Sequence, residues 1–212
     1  MWWGWCERVG GESRIMDEKA DVLTACCAMI DADALPDAAA LLTRDYPFTP
    51  IIKNGRQYTA AQCMEVFVRD GFIDRYSGQK LVFPGTLRLL SRLMPSAFPF
   101  QPNWKSDSCH FAYYELFPTI DHGTPVARGG LDQMDNWLST SMLRNAAKAN
   151  FTIEELGWTL HPCGEISAWD GLTGWFMQQA RIRPEISADP YLARWLRAAR
   201  NRFGPAHDEV LQ

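Results

Sequence analysis

The sequence predicts an α+β protein: a small ββα centre, two short strands and a helix packed across them, embedded in predominantly helical N- and C-terminal flanks. Three observations lead there. Residues 118–140 hold two short extended runs on either side of Gly129-Gly130, and Ser141 opens a helical run directly after the second. Apolar residues recur at helical spacing on both sides of this stretch. Finally, 212 residues that are 47% hydrophobic and 22% charged suffice for one core with appendages. The division expected is a mostly helical N-terminal region over 1–105 packed on the core, the centre over 106–160, and a helical C-terminal extension with an Arg-rich face over 161–212.

Taken in order, Asp17 to Ile30 places Val22, Leu23, Cys26, Cys27 and Ile30 at helical spacing, and Pro36 starts an Ala-rich helix toward Leu42. Tyr46 to Gly55 is a connector. Thr59-x-x-Gln62 is a capping box for a helix whose Ala60, Cys63, Met64 and Phe67 form one apolar stripe, closed by Gly71. Phe72 to Phe83 reads as a hairpin about Ser77-Gly78, and Leu87 to Met94 as a helix ended by Pro95. The Pro- and aromatic-rich loop from Pro95 to Trp104 is expected to pack on the core, as are the aromatics of Cys109 to Phe117.

The centre follows. β-branched residues at 118–120 feed Asp121 and His122 at the end of a strand, Gly129-Gly130 permits a reversal, and 136–140 pairs back. On the helix from Met142 to Lys148, Met142, Ala146 and Ala149 share one face and Asn145 and Lys148 another. Beyond it, Thr152-x-x-Glu155 caps a short helix ended by Gly157, and 167–179 reads as helical. Asp189-Pro190 supplies the cap and first residue of a last helix with Leu192, Trp195, Leu196, Ala199 and Phe203 on one face.

The chemistry-bearing residues concentrate in the centre as D-H-x2-P-x3-G-G-x5-N-x8-N-x2-K, from Asp121 to Lys148. A neutral imidazole accepts a water's proton at cellular pH. One carboxylate and one amide oxygen make a hard, half-open site of the kind Mg²⁺ prefers. Adjacent residues on a regular strand point to opposite faces, so Asp121 and His122 share a site only where the strand is distorted or ends.

This string resembles the HNH endonucleases, whose ββα-metal core has the same order and spacing; the resemblance covers about thirty residues and marks an H-N-N variant. It implies that Asp121 and Asn145 ligate Mg²⁺ or Mn²⁺, that His122 is the general base, that Asn136 pins the loop and that Lys148 lies near the scissile phosphate. Arg128 and Arg144 would offset phosphate charge. The implied activity is hydrolysis of DNA phosphodiester bonds, with RNA left open as substrate; restriction, phage defence, mobile-element and toxin nucleases are all compatible. The alternative is a non-catalytic or partner-activated binding subunit with the same fold.

Many relatives brace this core with zinc on two C-x-x-C pairs. Here the six cysteines form no such pair, and Asp74-Arg75-Tyr76-Ser77-Gly78 stands where a first knuckle is expected, so no structural zinc is predicted. The thiols are read as buried and reduced, in a cytoplasmic protein. A net charge of −4 conceals an asymmetry. Met1 to Asp45 carries nine acidic and four basic residues, a candidate surface for a protein partner. Arg181 to Arg202 carries six Arg, of which Arg194, Arg197 and Arg200 recur every three residues; Arg194 and Arg197 are the candidate backbone contacts. No signal peptide and no membrane span are expected.

Overall fold

The computed structural model describes residues 19–48 and 57–204, and among these there are eight α-helices and one two-stranded antiparallel sheet. None of the described helices is long and apolar enough to cross a membrane. The protein is α+β and mostly helical. Two compact units divide between Lys53 and Asn54.

In the first unit, α1 (Lys19–Asp31) and α2 (Leu35–Asp45) pack through Val22, Cys26, Ala38 and Leu41. Both helices lie where apolar spacing put them. Most of the connector expected from Tyr46 to Gly55 lies outside the described residues.

The second unit is built on α3 (Ala60–Arg69), α4 (Pro84–Leu93), α7 (Thr173–Ile182) and α8 (Pro190–Phe203), whose apolar faces enclose Phe67, Phe72, Phe83, Phe176, Leu192 and Trp195. Both halves of the α3 capping box form: the Thr59 hydroxyl accepts from Gln62 N and the Gln62 amide oxygen accepts from Thr59 N at 2.9 Å. Such a cap contributes about 1 kcal/mol. Asp189 Oδ1 caps α8 by accepting from Tyr191 N and Leu192 N. The loop from Pro95 to Trp104 packs inward as expected, setting Phe98, Phe100 and Trp104 around buried Tyr113 of the short helix α5 (Ala112–Glu115).

Against this core lie β1 (Pro118–His122) and β2 (Trp137–Ser141), paired from Pro118 opposite Ser141 to His122 opposite Trp137. α6 (Met142–Lys148) follows directly, its first turn capped by Ser141 Oγ accepting from Arg144 N. Its buried face is the polar one: Lys148 is fully enclosed while Ala146 and Ala149 are exposed.

The outer edge of β2 is closed by two buried carboxylates. Asp70 Oδ2 accepts from Ser139 N and Oγ, and Asp74 Oδ2 accepts from Ser141 N at 3.0 Å. Arg69 and Arg75 both donate to Asp70 Oδ1, and Arg75 also reaches the His161 carbonyl at 2.6 Å. Backbone bonds from His161 N to Arg75 O and from Gly164 N to Asp70 O complete the junction. Residues 70–75 and 161–164 are thus bound to each other and to β2 by a charged network.

Three local expectations are corrected. Residues 72–83 make only one bridge, Ile73 to Lys80, because Asp74 turns back on itself to accept from Tyr76 N and Gly78 N bonds Asp74 O. The Thr152–Glu155 box forms its hydrogen bonds but closes a turn rather than a helix. The helix expected over 167–179 starts only at Thr173, where Asp170 Oδ2 accepts from Gly174 N. Thiol burial is also mixed: Cys26 and Cys109 are buried, Cys27 and Cys163 exposed, and none of the described cysteines is paired.

Candidate active site

Strand alternation assigns Thr119 and Asp121 to one face of β1 and Ile120 and His122 to the other. Side-chain contacts follow that division. On the first face, Asn145 Nδ2 donates to Thr119 Oγ1 at 3.0 Å and to the Ile120 carbonyl at 3.3 Å. A carbonyl only accepts, so the amide nitrogen must face the strand and Asn145 Oδ1 is turned away from it with no protein donor.

Asp121, 8% exposed, is held by one oxygen only. Its Oδ2 accepts from Tyr76 Oη at 2.7 Å and pairs with Lys148 Nζ at 3.0 Å, while Oδ1 makes no hydrogen bond among the described residues. Burial first, then the adjacent Asp121 carboxylate, pushes the Tyr76 phenol well up, so it stays a donor. Asp121 and Asn145 therefore each present one open oxygen while their remaining polar atoms are anchored. That donor set suits a hard divalent cation completing its shell with water and phosphate oxygens. Among the described residues no three His, Cys, Asp or Glu side chains gather as a ligand cluster.

Lys148 departs from expectation. It is fully buried, with Nζ on the His122 carbonyl at 2.8 Å and on Asp121, over the Tyr76 ring. Its ammonium holds the strand end and the carboxylate together and has no surface to offer a phosphate.

On the other face, at the last paired residue of β1, the His122 ring is 6% exposed. Its Nε2 lies 2.8 Å from Asp132 Oδ1, which also accepts from Trp137 Nε1 at 2.8 Å and Tyr58 Oη at 3.2 Å. Burial raises the Asp132 carboxyl, but the hydrogen bonds from His122, Trp137 and Tyr58 together outweigh it and hold the group below the usual carboxylate range. Among the described residues, no hydrogen bond reaches His122 Nδ1. No hydrogen bond joins the ring to Asp121 or Asn145; the ring and the Asp121–Asn145 pair lie on opposite faces of β1 at its last two residues.

The loop between the strands is pinned as expected. Asn136 Oδ1 accepts from Thr124 N, and its Nδ2 donates to Thr124 O and Leu131 O, all within 2.9 Å. Gly129 takes φ +88°, and a Cβ on Gly130 would stand 1.9 Å from Thr124 O, so only glycine lets the loop fold this tightly.

Of the candidate phosphate contacts, Arg128 pairs with Glu155 at 3.3 Å with both side chains well exposed, a link worth about 0–1 kcal/mol that a phosphate would displace. Arg144 lies over Trp158. Arg194, Arg197 and Arg200 are all exposed along α8, with Arg194 over the Tyr191 and Trp195 rings. Tyr58, Tyr76 and Asp132 escaped the sequence reading. Tyr58 and Tyr76 reach the site from 64 and 45 residues away. Asp132 sat inside the motif's span, where a polar residue in a glycine-containing loop carries no signal of its own.

Compared with known proteins, the chain matches no family model, no curated protein and no solved structure.

Proposed function

We propose that the protein is a metal-dependent phosphodiesterase of the ββα-metal, HNH-like class. Its substrate on this reading is DNA, cut endonucleolytically. The single observation that carries the proposal is the pattern of unfilled positions. Among the described residues, Asp121 Oδ1, Asn145 Oδ1 and His122 Nδ1 have no protein partner, while every other polar atom of those side chains is anchored. Open polar atoms on side chains held rigidly through their other atoms favour a ligand.

Asp121 and Asn145 would hold Mg²⁺ or Mn²⁺, which supplies Lewis-acid stabilisation of charge developing on the phosphate. His122 Nδ1 takes the proton from the attacking water. Asp132 and Trp137 keep the ring in place, and Asn136 holds the loop that carries Asp132. Arg128 and Arg144 offset phosphate charge, and the products carry 5′-phosphate and 3′-hydroxyl ends.

The test is supercoiled plasmid with the purified protein in Mg²⁺, Mn²⁺ or EDTA, beside His122→Ala. Nicking or linearisation that needs metal and His122 is expected. A non-catalytic binding role is favoured by one feature, the Lys148 ammonium already neutralising Asp121. Plasmid left intact under every metal, with DNA still bound, would select that role.

A further inference from the structure

We propose that Asp132 is a positioning residue that sets the tautomer of His122, holding the proton on Nε2 so that Nδ1 keeps its lone pair. The proposal rests on the nuclease reading for its consequence, and on geometry alone for its cause.

An ionised carboxylate only accepts hydrogen bonds. Asp132 Oδ1 lies 2.8 Å from His122 Nε2, a distance at which that nitrogen must carry the hydrogen. The same oxygen takes the Trp137 indole N–H at 2.8 Å and the Tyr58 hydroxyl at 3.2 Å, so the acceptor is itself fixed from two other directions. These donors come from separate elements: Trp137 begins β2, and Tyr58 immediately precedes the Thr59 cap of α3. Asn136 ties down the neighbouring carbonyl of Leu131.

Tyr58 makes the arrangement switchable. Its hydroxyl is 3.5 Å from His122 Nε2, a marginal contact while Asp132 competes for both groups. Without the carboxylate, the same hydroxyl stands within reach of Nε2 as a donor. It would make Nε2 the acceptor and move the ring proton to Nδ1, removing the lone pair that takes a proton from water. A purely structural role for Asp132 predicts no such exchange.

The experiment uses the full chain, labelled with ¹⁵N at histidine, its His122 ring signals assigned by their loss in His122→Ala. The parent is expected to show the Nε2–H tautomer. In Asp132→Ala, Nδ1–H is expected to gain population, with kcat for plasmid cleavage lower on the order of 10²-fold and KM within about twofold. In Asp132→Ala/Tyr58→Phe the Nε2–H form should return in part. Asp132→Asn keeps an acceptor oxygen and guards against misfolding; it should keep Nε2–H and most of the rate. An Nδ1–H tautomer in the parent, or an Asp132→Ala protein unchanged in tautomer and kcat, overturns the proposal. Equal cleavage by the parent and His122→Ala sinks only the nuclease reading, because the ring spectrum still decides what Asp132 does.

Discussion

Two sets of polar groups border the same hairpin and are completed in opposite ways among the described residues. Along β2, Asp70 and Asp74 are 0% exposed, and all four carboxylate oxygens are occupied by Arg69, Arg75, Ser139, Thr140 and Ser141. Along β1, Asp121, Asn145 and His122 each keep one atom open. Carboxylates on both sides carry cationic partners, so the presence of an ion pair does not separate scaffold from site. The count of unfilled lone pairs does. A closed network removes the sheet edge that would otherwise recruit another strand, whereas an open one keeps positions for water, metal or phosphate.

The contrast is broken most severely at Asp70. Asp70→Ala leaves the Ser139 N–H unpaired and takes the carboxylate from Arg69 and Arg75, which keep their backbone carbonyls; removing one partner of a buried ion pair costs about 3–5 kcal/mol. Urea denaturation should show that loss; a change under about 1 kcal/mol would mean that water replaces the carboxylate. Lys148→Met is the corresponding test on the open side, expected to cost about 3 kcal/mol by leaving Asp121 Oδ2 with Tyr76 alone. If Lys148 instead serves the phosphate directly, Lys148→Met will spare the melting temperature and abolish cleavage.

His122→Ala should behave in the reverse manner. Loss of a general base lowers cleavage at least about 10²-fold, equivalent to about 2.7 kcal/mol in the barrier. The melting temperature should stay near that of the parent. Equal cleavage by the two proteins would remove His122 from the chemistry.

How far the sequence foretold this contrast depended on the range of each interaction. The Ser141 and Asp189 caps, the Thr59 box and the loop-pinning Asn136 were legible because side chains there bond backbone no more than 12 residues away, and the hairpin strands because they pair across a separation of only 15 to 23 residues. Asp70 and Asp74 were not, since their partners lie 66 to 69 residues away in β2. The polar burial of α6 was misleading for the same reason: what encloses Lys148 is Tyr76 and the His122 carbonyl, which helical periodicity cannot anticipate. At Thr152 the local signal was correct and still insufficient. The box formed, but one hydrogen-bonded turn does not repay helix nucleation, and Gly157 at φ +63° ended it. Of the site, the three candidate chemical groups were visible in the sequence; the groups that aim them were distant or unmarked.

The smallest expected effect concerns the Arg row of α8, where the proposed DNA path can be sharpened to one residue. Arg194 lies over the Tyr191 and Trp195 rings, a placement already satisfied within the helix. Arg197 stands one helical turn before Asn201. Asn201 and Arg202 line a groove of about 630 Å³ whose other wall includes Arg69 and Met134, and Met134 belongs to the loop closed by Asn136. A phosphate backbone following α8 would meet Arg194 already stacked on two rings, and Arg197 with no ring contact among the described residues. Each lost phosphate contact makes the slope of log K against log salt shallower by about 0.9 for duplex DNA. Arg197→Ala should therefore approach that full change and Arg194→Ala should fall short of it. The reverse ranking would place the backbone on the Tyr191 and Trp195 side of α8. No change in either variant would make the row a solvated face, and would leave Arg128 and Arg144 beside the hairpin as the remaining candidates for phosphate contact.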